Sequence, residues 1–275
     1  MRGKWGKRCI GAILLLSVII GVLGLLARPS PDHPLFDQPK MLVIAHRGGC
    51  GLWPEETLYA LHHSMDLGAD VLDIDIRSTR DSVLVLIHNA TVDSTTNGTG
   101  EVQDFTLAAL KALDAGYRWT DDNGGHFPFR GRGITVPTLA EVFAAFPDAR
   151  MNIEIKLDRA DMARELGRMI RESGKAEQVI VCSMHKEVMR EFRRLYPEVA
   201  TAASANEVKQ FFYLNLVYLG FVYSGVSHLI YVVFFEFWGW MMDCPAEILD
   251  GLIDSQEVFT SLVRSKAVVL NFQPS

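Results

Sequence analysis

Polar residues that could do chemistry follow or interrupt three short apolar runs in the first third of the chain. His46 and Arg47 follow the first run, Asp73 and Asp75 lie within the second, and His88 ends the third. Histidine titrates near neutral pH and can act as a general acid or a general base. Two histidines beside a carboxylate pair and an arginine therefore indicate acid–base chemistry on an anionic substrate.

The carboxylates are spaced to share one face of a strand. Asp73 and Asp75 are two residues apart, and Glu154 and Lys156 repeat this spacing in a later run. Neighbouring carboxylates repel each other unless one is protonated or a cation lies between them. Hard oxygen ligands of this kind suit Mg²⁺ or Ca²⁺, and the sequence leaves the choice between them open. The alternative interpretation of both pairs is a set of surface ion pairs.

Together these residues suit cleavage of a phosphate ester. A metal ion and Arg47 or Lys156 would neutralise the phosphoryl oxygens, while one histidine deprotonates the nucleophile and the other protonates the leaving group. The chain lacks a P-loop, a G-x-S-x-G motif and a dinucleotide-binding fingerprint. Its net charge of −6 argues against a nucleic-acid partner, for which a basic surface is expected.

The elements that must position these residues alternate between strand and helix. This alternation predicts a parallel α/β sheet, closed or doubly wound, whose carboxyl ends gather the polar residues. A long segment rich in Thr, Gly, Asp and Asn, residues 89–137, interrupts the pattern as a functional segment or an insertion. We predict strands at 41–45, 71–76, 83–87, 151–155, 179–182 and 199–203, and helices at 57–67, 138–146, 159–173 and 185–196.

The N-terminus, residues 1–40, is predicted to be separate from the domain at 41–275. Four basic residues precede the charge-free apolar residues 9–27, which are long enough to cross a bilayer. The segment is either a signal peptide, which would release an exported soluble domain, or a membrane anchor. An uncleaved anchor is favoured because residues 25–27 make a poor cleavage site. The basic residues place the domain on the non-cytoplasmic side.

The last third of the chain, residues 205–275, is harder to interpret. Residues 211–242 are strongly apolar, and we expect buried core, with a second membrane segment as the alternative. Residues 247–267 have a helical pattern, and residues 268–273 form an apolar end with no assigned partner.

Seven motifs between about residues 41 and 204 resemble those of the glycerophosphodiester phosphodiesterases, in the family's order and spacing. They are His-Arg-Gly-Gly (46–49), Pro-Glu-Glu-Thr (54–57), the segment 68–75, Val-Leu-Ile-His (85–88), Thr-Thr-Asn-Gly-Thr-Gly (95–100), Val-Pro-Thr-Leu (136–139) and Asn-Ile-Glu-Ile-Lys (152–156). The resemblance implies a TIM-barrel-like (β/α)8 fold with a small insertion after the third strand. It also implies divalent-metal-dependent hydrolysis of glycerophosphodiesters to an alcohol and glycerol 3-phosphate.

The resemblance also implies a role for each site residue. The acid–base pair falls on His46 and His88, the metal carboxylates on Asp73, Asp75 and Glu154, the phosphate-binding cations on Arg47 and Lys156, and a supporting glutamate on Glu55.

This chain departs from the family's pattern at several positions. Asp73 replaces a glutamate, Glu56 an asparagine, Asn89 an aspartate and Ser82 a turn glycine. The C-terminal part is also short for the two remaining strand–helix units. Three alternatives follow, namely a lysophospholipase D-like phosphodiesterase, a catalytically weak lipid- or phosphodiester-binding relative with an incomplete barrel, and a membrane-embedded interaction protein.

Overall fold

The structure is a computed structural model that describes residues 2–26, 34, 42–157, 159–204, 206–207, 209–210, 213 and 267–270. Its strands are β1 (Leu42–His46), β2 (Val71–Ser78), β3 (Leu84–Leu86), β4 (Arg150–Ile155), β5 (Val179–Cys182), β6 (Ala200–Thr201) and β7 (Ala267–Leu270). Its α-helices are α1 (Arg2–Leu26), α2 (Leu58–Asp66), α3 (Leu107–Lys111), α4 (Leu139–Ala145), α5 (Ala160–Glu172) and α6 (Lys186–Leu195).

Six of these strands form a parallel sheet in the order β6-β5-β4-β2-β1-β7. A helix lies between each two consecutive strands of the parallel sheet from β1 to β6, so the predicted parallel α/β architecture is confirmed for the described residues. The apolar end of the chain, which had no assigned partner, pairs with β1 as strand β7. Residues 211–212 and 214–266, with the predicted apolar core and nearly all of the predicted tail helix, lie outside the described part.

The third predicted strand is not parallel to its neighbour. β3 pairs antiparallel with β2, with Leu86 opposite Ile76. Only five residues, 79–83, connect the two strands, whereas a parallel crossover needs about a dozen. Ser82 closes this turn with a left-handed φ of 63°. Because β3 runs back along β2, the main-chain N–H of Ile87 donates to Asp75 O at 3.1 Å, and His88 returns to the level of Asp75.

The core lies between the sheet and the helices on one of its faces. Leu72, Ile74 and Ile76 of β2 are fully buried there against side chains of α2, α4, α5 and α6. Helices α5 and α6 meet closely at Gly167, where an added Cβ would lie only 2.1 Å from the ring of Tyr196. Since side chains alternate along a strand, this packing directs the odd-numbered residues of β2 to the opposite face.

Two helix starts that position loops near the site follow the sequence signals. Thr57 caps α2 by accepting a hydrogen bond from Ala60 N at 3.1 Å. Thr138 and Glu141 form a capping box at the start of α4, in which the Thr138 side chain accepts from Glu141 N and the Glu141 side chain accepts from Thr138 N.

Residues 89–137 form a second apolar cluster that packs beside the sheet. This segment contains a 3-10 helix (Val102–Asp104) and α3. Its Trp119 donates the indole N–H to Cys50 O at 3.1 Å. The segment is therefore tied directly to the loop that follows β1.

The N-terminal helix α1 covers most of the predicted anchor. Within the part of the chain that the structure describes, we find no helix both long enough and apolar enough to cross a membrane. The transmembrane part of the fold prediction is thus not confirmed.

Candidate active site

Three parallel strands bring predicted site residues to the same edge of the sheet. His46 is the last residue of β1 and lies opposite Asp73 of β2, while Asp75 lies opposite Glu154 of β4. Lys156 follows β4, and its main-chain N–H donates to Ile76 O at 3.2 Å. These predicted residues therefore gather around the outer half of β2.

A tight turn after β1 positions the first histidine–arginine pair. Arg47, Gly48 and Gly49 all have left-handed backbones, with φ of 48°, 70° and 92°. An added Cβ at Gly49 would lie 2.6 Å from Ser64 Oγ, and Ser64 Oγ donates to Gly48 O at 2.8 Å. The turn thus needs glycine for both its conformation and its close contact with α2.

Arg47 connects three other predicted site residues. Its Nη2 lies 2.8 Å from His88 Nε2, its Nη1 donates to Glu55 Oε2 at 3.4 Å, and its Nε lies 3.7 Å from Asp75 Oδ2. Predicted phosphate-binding, acid–base, supporting and metal-binding residues therefore meet at one guanidinium group.

The contacts of His88 define its protonation state. Arginine can only donate hydrogen bonds, so His88 Nε2 must accept from Arg47 and carries no proton. Its Nδ1–H then donates to Asn89 Oδ1 at 2.7 Å, and Asn89 Nδ2 donates in turn to Ser94 Oγ. Burial lowers the pKa of His88, and Lys156 lowers it further. His88 is therefore a neutral imidazole whose lone pair faces Arg47.

His46 is also neutral at physiological pH. Burial lowers its pKa to about 4, and the positive charge of Arg47 adds to this effect. Its Nδ1 lies 3.9 Å from Cys50 Sγ in the turn that follows β1. The site thus holds two neutral histidines, and the lone pair of His88 Nε2 is engaged by Arg47.

The carboxylates differ in how their charge is compensated. Burial raises the pKa of Asp73 to about 7, repulsion from Asp75 adds to this, and a 2.6 Å hydrogen bond from Asn152 Nδ2 opposes it. Lys156 Nζ lies between two other carboxylates, 3.2 Å from Asp75 and 2.7 Å from Glu154. A positively charged group therefore already bridges the adjacent strands β2 and β4.

Asp73, Asp75 and Glu154 suit a hard divalent cation by the chemistry of their oxygen atoms. Asp73 has no Lys or Arg nitrogen within 4 Å among the described residues, so a cation would relieve its repulsion from Asp75. Across the described residues, however, no group of three or more His, Cys, Asp or Glu side chains is arranged to hold a metal ion. The metal site stays a prediction.

Four polar residues at the site were not assigned roles from the sequence, namely Glu56, Arg77, Asn89 and Asn152. Arg77 and Asn152 could have been found by alternation, since each lies two residues from a predicted carboxylate on the same strand. Asn89 and Glu56 differ from the family pattern at their positions, but nothing else in the sequence indicates a role for them.

Glu56 is almost completely buried and adopts a left-handed φ of 57°. Its Oε1 accepts from Asp75 N at 3.0 Å, whereas its buried Oε2 has no hydrogen-bond partner. Burial raises the pKa of Glu56 well above its usual range, and Asp75 adds to this. Glu56 therefore supports the backbone of β2 beneath the site.

A cavity of about 240 Å³ opens beside His88 at the ends of β4 and β5. It is lined by Arg77, His88, Asn89, Ala90, Glu154, Ile155, Lys156, Met184 and His185. The cavity joins the predicted acid–base and phosphate-binding residues to a region that the sequence did not single out.

Residues 46–210, more than half of the chain, match the model of the glycerophosphoryl diester phosphodiesterase family. The chain belongs to this family. The matched segment begins at His46 and contains every predicted site residue.

A glycerophosphodiester phosphodiesterase of Caldanaerobacter subterraneus subsp. tengcongensis is 39% identical over 165 residues. The alignment covers 58% of this chain and 65% of that relative, so this chain spans about two thirds of the relative's length.

Two solved structures share the fold. A glycerophosphodiester phosphodiesterase of Agrobacterium tumefaciens is 29% identical with a TM-score of 0.54, covering 62% of this chain and 69% of that one. An Oleispira antarctica phosphodiesterase, solved in complex with the product sn-glycerol 3-phosphate, is 26% identical with a TM-score of 0.50, covering 64% and 72%.

Proposed function

We propose that this protein hydrolyses glycerophosphodiesters to an alcohol and glycerol 3-phosphate. The observation that carries the proposal is the arrangement of two neutral histidines, His46 and His88, around the guanidinium of Arg47 and near the ammonium of Lys156. Membership of the family and the product bound to the Oleispira antarctica relative support it.

The proposed reaction uses the two histidines in succession. Arg47 and Lys156 hold the phosphoryl oxygens, and a neutral histidine takes a proton from the nucleophile as it attacks phosphorus. The bond from phosphorus to the alcohol oxygen breaks, and the other histidine supplies the proton that this oxygen takes up. The negative charge of the bound phosphoryl group favours protonation of that second histidine.

We propose that Asp73, Asp75 and Glu154 hold one divalent cation, Ca²⁺ or Mg²⁺. When bound, it would neutralise charge on a phosphoryl oxygen. The repulsion between the buried Asp73 and Asp75, which a bound cation would relieve, supports this proposal. Calorimetric titration of wild type and of Asp75→Asn with each ion tests the proposal without relying on activity. Equal binding of the ion by the two proteins would contradict the assignment.

The test of the function is turnover of a panel of glycerophosphodiesters by the full chain, with EDTA and then with Ca²⁺ or Mg²⁺. We expect His46→Ala and His88→Ala each to lower kcat by roughly 10²- to 10⁴-fold, the usual contribution of a general acid or base. His62→Ala is the matched control, because His62 is exposed on α2. A folded wild-type protein that turns over no diester would favour the non-hydrolytic binding relative.

We also propose that the chain is attached to a membrane through residues 9–27, with its domain on the non-cytoplasmic side. The charge-free sequence and the exposed apolar side chains of α1, such as Leu15 and Val18, support attachment. Attachment would favour lysophospholipid substrates and hence a lysophospholipase D-like activity. Sedimentation with membranes should be lost in a Leu15→Arg, Val18→Arg variant, and unchanged sedimentation would contradict the proposal.

A further inference from the structure

Arg77 extends the row of polar residues along β2 beyond the predicted site. It lies two residues past Asp75, so its side chain is on the same face of the strand. Only 9% of Arg77 is exposed. Its Nε and Nη2 both donate to the main-chain oxygen of His88, at 2.9 and 2.8 Å. These bonds fix the guanidinium beside the acid–base residue.

The charge of Arg77 has no close counter-ion in the described part of the chain. No carboxylate oxygen there lies within 4 Å of its guanidinium, whereas Arg47 lies near Glu55 and Asp75. Burying a charge is costly unless the charge is paired. The main-chain carbonyl of His88 accepts two hydrogen bonds from Arg77, but it carries no negative charge that would pair with the guanidinium. Burial lowers the pKa of Arg77, and Asp75, Glu154 and Glu101 oppose this effect only in part. An anionic group close to the guanidinium would therefore stabilise the charge of Arg77 further.

The cavity beside His88 gives such a group a place to bind. Arg77 lines it together with Lys156, while His46 and Arg47 are not among its lining residues. The cavity thus borders one predicted phosphate-binding residue, Lys156, and one acid–base residue, His88, and extends beyond the residues predicted to hold the phosphoryl group. Glu154 also lines the cavity, but its carboxylate is paired with Lys156 at 2.7 Å.

The start of helix α6 also borders the cavity. Met184 and His185 line the cavity, and they immediately precede this helix. The His185 side chain does not cap the helix, so main-chain N–H groups of the first turn lack a side-chain acceptor from this residue. A helix N-terminus carries a partial positive charge, which adds to that of Arg77.

We propose that this cavity binds the alcohol portion of the diester, and that Arg77 selects headgroups that carry an anionic group such as a carboxylate. The inference rests on the proposed function, because the cavity is defined relative to the phosphoryl position. A quaternary ammonium headgroup such as choline would instead meet the positive charges of Arg77 and Lys156. Arg77 is thus a specificity residue rather than a general phosphate ligand.

The test compares glycerophosphoserine with glycerophosphocholine as substrates of the full chain. We expect wild type to have the lower KM for glycerophosphoserine. Arg77→Met should lower kcat/KM for this diester by roughly 10- to 100-fold, mainly through KM, because a charge-assisted hydrogen bond is lost. The same substitution should lower kcat/KM for glycerophosphocholine by a clearly smaller factor, because choline carries no anionic group for Arg77 to bind. Arg77→Lys is the matched control that keeps the charge and should retain part of the preference.

Several outcomes would overturn the inference. Equal KM values in wild type would do so without any variant, which covers the case in which Arg77→Met does not fold. An equal loss on both diesters would show that Arg77 acts on the shared phosphoryl group or on the fold.

Calorimetry with both diesters separates this inference from the proposed function. Binding of glycerophosphoserine without turnover, lost in Arg77→Met, would support the cavity assignment while the proposed activity fails. Binding of neither diester to the folded wild-type protein would overturn the cavity assignment.

Discussion

Replacing Asp73 by asparagine should stabilise the protein at alkaline pH and remove part of the pH dependence of its stability. Burial and the neighbouring Asp75 raise the pKa of Asp73 from 3.8 to about 7. The folded protein therefore binds this proton more tightly than the unfolded chain does. The protonated Asp73 therefore contributes to the free energy of unfolding in full below pH 4, and this contribution is lost as the pH rises through 7.

The magnitude follows from the shift. About three pKa units at 1.36 kcal/mol each correspond to about 4 kcal/mol between full protonation and full ionisation. Between pH 5 and pH 8 the expected change in the free energy of unfolding is roughly 2 to 3 kcal/mol. Asparagine keeps the side-chain shape and can still accept the hydrogen bond from Asn152 through its amide oxygen.

The assay is urea unfolding of wild type and Asp73→Asn at pH 5 and pH 8 in EDTA, so that no divalent cation competes with the proton. The difference between the two proteins should grow in favour of the variant as the pH rises. Asp121→Asn, at an exposed position in the insertion, is the control and should show no such trend. A constant difference between wild type and Asp73→Asn at the two pH values would refute the reasoning.

Two further predictions concern the turn after β1 and the orientation of His88. Gly49→Ala should lower the free energy of unfolding, measured in urea, by at least about 2 kcal/mol, because Ser64 occupies the space of the new Cβ. Gly68 has an equally left-handed backbone but lies in open space, so Gly68→Ala is the control and should cost about 1 kcal/mol. Equal losses in the two variants would contradict the role of the contact with Ser64. Asn89→Leu should lower kcat by about tenfold or more with little change in Tm, because the Nδ1–H of His88 loses its acceptor. Asn89→Asp should preserve kcat, and a matching loss in both Asn89 variants would count against the orienting role.

Local sequence patterns are enough to predict most of the residues that meet at the site. Asp73 and Asp75 share a face through the two-residue period of a strand, and His46 ends an apolar run of strand length. Their proximity follows from the parallel sheet, whose carboxyl ends meet at one edge. The same two-residue period places Arg77, two residues after Asp75, on the face of β2 that carries the site.

Other features depend on contacts that no local pattern records. The antiparallel direction of β3 was recoverable from its five-residue connection to β2, but the apolar run alone does not specify direction. The bond from Arg47 to His88 joins residues 41 positions apart and requires a left-handed arginine. The burial of Glu56 depends on tertiary packing against β2, because a glutamate in a loop is usually exposed.

The central claim is tested most directly by phosphorus NMR of glycerophosphoserine incubated with the full chain and Ca²⁺ or Mg²⁺. We expect the diester signal to be replaced by that of glycerol 3-phosphate, and we expect His88→Ala to slow this change by at least about 100-fold while His62→Ala does not. Formation of phosphoserine and glycerol, or an unchanged diester signal with a folded wild-type protein, would contradict the claim.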